Sequence, residues 1–217
     1  MAQVTALASP RRKLLETAAA PCLALLDLVP RKPESHAALE IRPSPVEGKV
    51  QLRVACRLWM AQLEVGGYVE ERLSIPRQTL TMLARRGPDA EWLVAEELSG
   101  DSIAWRTFSL GASVAVASPA GPLLPELPLL RPPWPEPEPG SRPVMLDPSH
   151  LRVALKAAEQ LRQTSLEVVT IPQSLVGAVL LISSDDPDGP QGSIQLAAMA
   201  PAAEAETYRA AALKAAA

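Results

Sequence analysis

Aromatic residues are scarce in this chain. Trp, Tyr and Phe together make up 3% of the 217 residues, whereas 47% of the residues are hydrophobic. The hydrophobic fraction is large enough for a buried core, which has to consist mainly of Leu, Val, Ile and Ala. It also argues against a chain that is disordered throughout.

Cysteine and histidine are rarer still, with two residues of each. Cys22 and Cys56 stand alone in apolar surroundings, as is typical of small core residues. His36 and His150 belong to no HExxH pattern and to no Cys/His cluster, and no Walker A, G-x-S-x-G or G-x-G-x-x-G motif occurs. We therefore expect a protein that is not an enzyme and that uses no metal and no cofactor.

Long hydrophobic runs are also missing. The best apolar stretch, "LLETAAAPCLALLDLV", is interrupted by Glu16, Pro21 and Asp27, so no membrane span is predicted. The N-terminus does not have the pattern of a signal peptide, and we expect a cytoplasmic protein. The formal net charge of −3 argues against coating by nucleic acid, but it leaves room for one basic face.

Proline-based helix starts occur three times along the chain. Proline fits the first helical turn because its missing N–H has no partner inside the helix. The three starts are Ser9 with Pro10, Pro76 with Gly87 as the stop, and Asp147 with Pro148.

Strand candidates follow each of these helices. They are "AALEIRP" and "KVQLRVACRLWMAQLEV", then "EWLVAEEL", "SIAWRTF" and "ASVAVAS", and finally "SLEVVTI", "GAVLLIS" and "SIQLAAM". In the second segment Val50, Leu52 and Val54 alternate with more polar residues, which predicts one buried sheet face. The sequence thus predicts an α+β fold, with repeats of one helix plus an antiparallel β-meander and the helices on one face of the sheets.

A proline-rich segment separates the second unit from the third. We expect a first domain at residues 1–130, a linker at 131–143, a second and partial domain at 144–202, and an alanine-rich tail at 203–217. So many prolines favour an extended, stiff connector. A ligand for a proline-binding module is the alternative interpretation.

Basic residues occur on all three predicted helices. In the second helix Leu80, Leu83 and Ala84 are expected to face the sheet, and in the third Leu151, Ala154, Leu155 and Ala158 form the predicted buried stripe. The exposed cations are Arg11, Arg12 and Lys13 on the first helix, Arg77, Arg85 and Arg86 on the second, and Arg152 and Lys156 on the third.

Cations near a helix start oppose the macrodipole and cost roughly 0.3–1 kcal/mol each. This favours a binding role for Arg11, Arg12, Lys13 and Arg77, whereas ordinary solvated helix faces are the alternative.

The order helix, meander, helix, meander resembles the half-domains of the bacterial β sliding clamp of DNA polymerase III. "GYVEERLSIPRQTLTMLARRGPDAEWLVAEE" is similar to a clamp strand, second helix and following strand, and "FSLGASVAVASPAGPLLPELPLL" to the last strands of a first clamp domain. "PVMLDPSHLRVALKAAEQL" is similar to a strand and helix of the next domain. The clamp's peptide-binding pocket has no recognisable counterpart here.

The resemblance implies a non-enzymatic protein that binds duplex DNA through its phosphate backbone, without sequence specificity. The eight cations named above would be the DNA-binding residues. It also implies a homo-oligomer or a subunit of a larger protein complex, with no small-molecule substrate. The alternative is a scaffold subunit that keeps the fold but binds protein partners instead of encircling DNA.

Overall fold

Eleven strands and three α-helices make up the computed structural model, which describes residues 12–31, 37–56, 59–98, 102–110, 112–124, 133, 144–163, 166–171 and 176–198. The strands are β1 (Lys13–Ala18), β2 (Ala38–Pro43), β3 (Lys49–Ala55), β4 (Trp59–Val69), β5 (Leu73–Pro76), β6 (Trp92–Glu97), β7 (Ser102–Ser109), β8 (Ala112–Pro119), β9 (Glu167–Thr170), β10 (Val176–Ile182) and β11 (Gln191–Ala197). The helices are α1 (Ala19–Ala24), α2 (Arg77–Arg86) and α3 (Pro148–Gln160), and a 3-10 turn at Leu25–Leu28 continues α1.

Two of the three predicted helix starts are confirmed. Helix α3 begins at Pro148, and its N-cap Asp147 accepts a hydrogen bond from the Ser149 N–H at 2.7 Å. Hydrogen bonds from the Ser149 hydroxyl and backbone lower the pKa of Asp147. Helix α2 begins one residue after Pro76 and ends at Gly87, as its stop signal predicts.

The first predicted helix is wrong in its described part. Lys13–Ala18 is a strand in which Leu15 and Thr17 are buried, whereas Glu16 and Ala18 are only partly covered. Strand β1 pairs with β4 along one edge and with β6 along the other, and this pairing outweighs the local proline signal. Ser9 and Pro10 lie outside the described residues.

The first two helix-and-meander units interlock by exchanging their leading strands. Strand β1 precedes α1 but pairs with β6 of the second unit, and β5 precedes α2 but pairs with β2 of the first unit. Every pairing is antiparallel, and the sheet order is β5-β2-β3-β4-β1-β6-β7-β8. Neither unit therefore completes its sheet alone.

Strand β4 joins the third unit to this sheet. One edge of β4 pairs with β3, and the other is divided between β11, at residues 59–64, and β1, at residues 67–69. Gly66 and Gly67 lie where the partner changes. A Cβ on Gly67, whose φ is +154°, would stand 2.7 Å from the Glu16 carbonyl oxygen, so the close approach of β1 requires glycine there.

A single large core lies between the helices and one face of the sheet, and Leu, Val, Ile and Ala supply most of it. Leu80 and Leu83 are buried as predicted, and so are Ala154 and Ala158. Leu155 was placed wrongly in the buried stripe: its side chain is 42% exposed, and Ala157 is buried instead. Helix α3 contacts α1 and the 3-10 turn, and its buried residues are all alanines, at positions 154, 157 and 158.

The prediction that β3 buries only one face is wrong. Gln51, Arg53 and Ala55 on its other face are at most 6% exposed. The Glu40 carboxylate forms an ion pair with Arg53 at 3.1 Å, and both side chains are almost completely buried. The second Glu40 oxygen pairs with Arg72 at 3.1 Å and accepts a hydrogen bond from the Leu124 N–H at 2.7 Å. This carboxylate therefore holds the segment that follows β8 against the sheet.

The Glu40 cluster should contribute strongly to stability. We expect Glu40→Gln to lower the free energy of unfolding by about 3–5 kcal/mol, because it leaves a buried guanidinium without its counter-charge. Urea unfolding followed by circular dichroism measures the change. The exposed carboxylate Glu97, which lies 3.7 Å from Arg12, is the matched control, and Glu97→Gln should cost at most about 1 kcal/mol. Equal effects of the two changes would contradict this assignment.

The glycine at the strand junction should also be sensitive to substitution. Gly67→Ala is expected to destabilise the protein by roughly 2–3 kcal/mol, because it adds a steric clash to a backbone conformation that is unfavourable for alanine. Gly48 has a φ of +74° with open space around the position of a Cβ, so Gly48→Ala should cost only about 1 kcal/mol. Thermal unfolding of both variants tests this, and equal destabilisation would show that the close approach of β1 is unimportant.

Candidate nucleic-acid interface

The helices form a layer whose charge differs from that of the whole chain. Helix α3 packs against α1 and the 3-10 turn, and the 3-10 turn also contacts α2. The basic residues of this layer are Arg77, Arg85, Arg86, Arg152 and Lys156, whereas its acidic residues are Asp27 and Glu159. The helix layer is thus basic in a chain of formal net charge −3.

Three of the predicted cations remain available at this surface. Arg85 and Arg86 lie in the last turn of α2 and Arg152 lies in α3, and all three are exposed. Within the described part of the chain, none of their side chains forms a hydrogen bond or an ion pair. Their guanidinium groups are therefore free to meet an external anion.

Lys156 is exposed but paired. Its Nζ lies 2.5 Å from the carboxylate of Asp27 in the 3-10 turn, which ties α3 to the neighbouring turn. Such surface pairs are worth little energy, about 0–1 kcal/mol, so a phosphate group could compete for the ammonium.

Arg77 has a structural role in the described fold. Its guanidinium donates hydrogen bonds to the carbonyl oxygens of Leu26, at 2.6 Å, and of Val29. The Leu26 carbonyl also accepts the Val29 N–H at 3.2 Å, so Arg77 joins α2 to the C-terminal end of the 3-10 turn. Partial burial and, to a smaller extent, the nearby charge of Arg31 lower the pKa of Arg77.

The cations at the start of the chain do not lie on a helix. Arg12 precedes β1, and its Nε donates to Glu70 at 2.8 Å, a bond that raises the pKa of Arg12. Lys13 begins β1 and pairs with Glu16. Arg11 lies outside the described residues. The structure therefore does not bring Arg12 and Lys13 together with the cations of α2 and α3 on one helical surface.

Two further arginines adjoin the helix layer and were missed by sequence reasoning. Arg31 is exposed just after the 3-10 turn, and Arg162 is exposed two residues after α3 with a φ of +59°. Both stand outside a helix, so a search for basic helical faces passes over them. A charge count that extended past the helix ends could have found them.

No other chemistry stands out in the described part of the chain. The described residues contain no cluster of His, Cys, Asp and Glu that could hold a metal ion. Burial raises the pKa of Cys22 to about 12, so its thiol is protonated and inert near neutral pH. None of the described helices has the length and apolar character needed to cross a membrane.

Comparison with known proteins identifies the fold through solved structures and not through sequence. No protein-family model matches the sequence, and no curated protein matches it either. Among solved structures, a candidate DNA polymerase III beta subunit of Eubacterium rectale superposes with a TM-score of 0.54 at 10% identity, covering 88% of this chain and 66% of that one.

Two further structures are similar at a lower level. The sliding clamp (DNA polymerase III subunit beta) of Bartonella birtlesii has a TM-score of 0.40 at 14% identity, covering 90% of this chain and 54% of that one. The proliferating cellular nuclear antigen of Entamoeba histolytica has a TM-score of 0.40 at 10% identity, covering 88% and 78%. This chain spans only about half to two thirds of the two bacterial proteins. The predicted fold class is confirmed: the chain has the sliding-clamp fold.

Proposed function

We propose that this chain is a non-enzymatic, clamp-like protein that holds duplex DNA against its helix layer. The observation that carries the proposal is the basic helix layer in an acidic chain, with Arg85, Arg86 and Arg152 exposed and unpaired within the described residues. Lys156 can join them by exchanging Asp27 for a phosphate.

Arg77 is a weaker candidate for DNA contact than the other helical cations. Its guanidinium already donates to two carbonyl oxygens, and moving it to a phosphate would break both of these hydrogen bonds. Arg12 and Lys13 remain candidates for DNA contact only in an arrangement in which the DNA also runs past β1. Contacts of this kind bind phosphates in any sequence, so no base specificity is expected.

The free edge of β8 supports assembly with a further protein chain, either a second copy or a partner subunit. Within the described residues β8 pairs only with β7. Its eight residues contain no charged side chain, and uncharged exposed edges of this length readily pair with another strand. This same edge favours the second candidate function, a scaffold that uses the fold to bind protein partners instead of DNA.

The salt dependence of binding to duplex DNA tests the first candidate. We expect the parent chain to bind duplex DNA with a steep salt dependence. Arg85→Glu and Arg152→Glu should each reduce the slope of log K against log salt by about 0.9, because each removes the cation that neutralises one phosphate. Fluorescence anisotropy at several salt concentrations measures the slope.

Lys49→Glu provides the matched control, because it makes a lysine-to-glutamate change of the same sign on β3, away from the helices. It should leave the slope unchanged. An equal reduction of the slope in Lys49→Glu would show that the effect comes from the net charge of the chain and not from the helix surface. A parent chain that does not bind DNA would favour the scaffold candidate.

Solution mass tests the assembly. If β8 pairs with another copy, light scattering should give a discrete oligomer, and Ala115→Lys with Ala117→Lys should shift it toward the monomer, because lysine on an edge strand opposes pairing. Both alanines are exposed on β8. Ala20→Lys, at an exposed alanine of α1, should leave the mass unchanged. A monomeric parent chain would exclude self-assembly through β8.

A further inference from the structure

An open cavity of about 420 Å³ lies where β4 changes partners. It is lined by Glu16, Ala18, Gly48, Gly66, Gly67, Tyr68, Trp92 and Asp188. Glu16 and Ala18 alternate along β1 with the buried Leu15 and Thr17, so this site is on the sheet face away from the helices. It is therefore separate from the candidate DNA-binding surface.

Two aromatic side chains are exposed at this cavity. Tyr68 is 53% exposed and Trp92 is 48% exposed, in a chain with seven aromatic residues in all. Tyr68 stands opposite Glu16 in the β1–β4 register, and Trp92 stands opposite Ala18 in the β1–β6 register. Exposed aromatic rings are costly to leave in water, and together they offer flat apolar faces on which a ligand can stack.

The lining also carries two carboxylates from different elements. Glu16 comes from β1, and Asp188 comes from the turn between β10 and β11. The Asp188 carbonyl accepts a hydrogen bond from the Gly66 N–H at 3.0 Å, which fixes this turn beside β4. Among the described residues, the only basic partner of either carboxylate is the exposed Lys13, which pairs with Glu16. Aromatic faces beside carboxylates are suited to a planar cation, which stacks on a ring and donates hydrogen bonds at its edge.

The strand exchange provides an internal precedent for what this face can hold. Strands β1 and β5 are equivalent, because each precedes a helix and pairs with a strand of the other unit. On this basis the pair Ala18–Trp92 of β1 and β6 corresponds to the pair Pro76–Ala38 of β5 and β2, and Glu16 corresponds to Ser74. On that second face the segment Gly121–Leu124 lies against the sheet: the Gly121 N–H donates to the Ser74 carbonyl oxygen at 2.9 Å, and the position of a Gly121 Cβ is 3.0 Å from the Ser74 hydroxyl and 3.1 Å from Ala38. Ala38 and Ser74 are completely buried, whereas Trp92 is half exposed.

We propose that the face formed by Glu16, Tyr68, Trp92 and Asp188 docks an extended segment of another protein that presents an arginine. The guanidinium stacks on the Trp92 and Tyr68 rings, and its N–H groups donate to Asp188 and Glu16. The backbone of the segment lies along the sheet as Gly121–Leu124 does on the related face. This site does not depend on DNA binding, because it uses the opposite face of the sheet.

Paired synthetic peptides test the site. The probe is acetyl-Ala-Pro-Arg-Pro-Leu-amide, and its control replaces arginine with citrulline, which has the same shape but no charge. Two-dimensional NMR of the tryptophan indole N–H groups gives the readout, with the Trp92 signal assigned from its disappearance in Trp92→Phe. We expect the arginine peptide to shift the Trp92 signal saturably and to bind at least about fivefold more tightly than the citrulline peptide.

Charge-matched variants locate the effect. Asp188→Asn should weaken the arginine peptide several-fold and leave the citrulline peptide unchanged, because the backbone contacts of Asp188 are retained. Asp185→Asn removes a carboxylate from the same turn that does not line the cavity, and it should have no effect. Equal affinity for both peptides, or no saturable shift of the Trp92 signal at millimolar arginine peptide, would overturn the proposal.

Discussion

The arrangement of the molecule depends on how one strand, β4, uses its two edges. One edge is filled by β3, and the other has to satisfy both β11 and β1. Two strands can follow each other along one edge only if their ends meet there without steric conflict, and the Gly66–Gly67 pair provides that space. The third unit is consequently joined to the first by main-chain hydrogen bonds as well as by helix packing, which makes the eleven strands one connected sheet.

The two faces of this sheet deal with charge in different ways. Near Glu40 the face away from the helices is buried, and its charges are satisfied internally by Arg53, Arg72 and the Leu124 N–H. In the helix layer, the side chains of Arg85 and Arg152 form no hydrogen bond and no ion pair within the described residues. Cations that folding does not use are the ones that a binding partner can use at little cost, whereas removing Arg53 from Glu40 would break an ion pair between two buried side chains.

Local signals in the sequence predicted most elements but not their partners. The Asp147–Pro148 start and the strands β6 to β8 follow from capping and alternation, which act within a few residues. The strand β1 was missed because its "KLLETA" pattern has no strict alternation, and its extended form depends on β4 and β6, which lie more than 40 residues away. Arg77 shows the same limit: its place on α2 was predicted, but its carbonyl partners come from a distant turn. The cavity beside Trp92 could not be foreseen, because three separate strands and two turns build it.

The two surfaces proposed for binding carry opposite charge and lie on opposite faces of the sheet. The helix layer presents cations, and the cavity presents two carboxylates between aromatic rings. Because an α-helix with its side chains is about 10–12 Å across, a helix layer packed on a sheet separates the surfaces by at least about 10 Å, and charges are screened over about 8 Å at physiological salt. Neither field therefore cancels the other, so that a polyanion on the helix side and an arginine on the sheet side can be held by one chain at the same time. Opposite signs also keep each ligand away from the other's site, since the duplex is repelled by the carboxylates and an arginine-bearing segment by the helical cations.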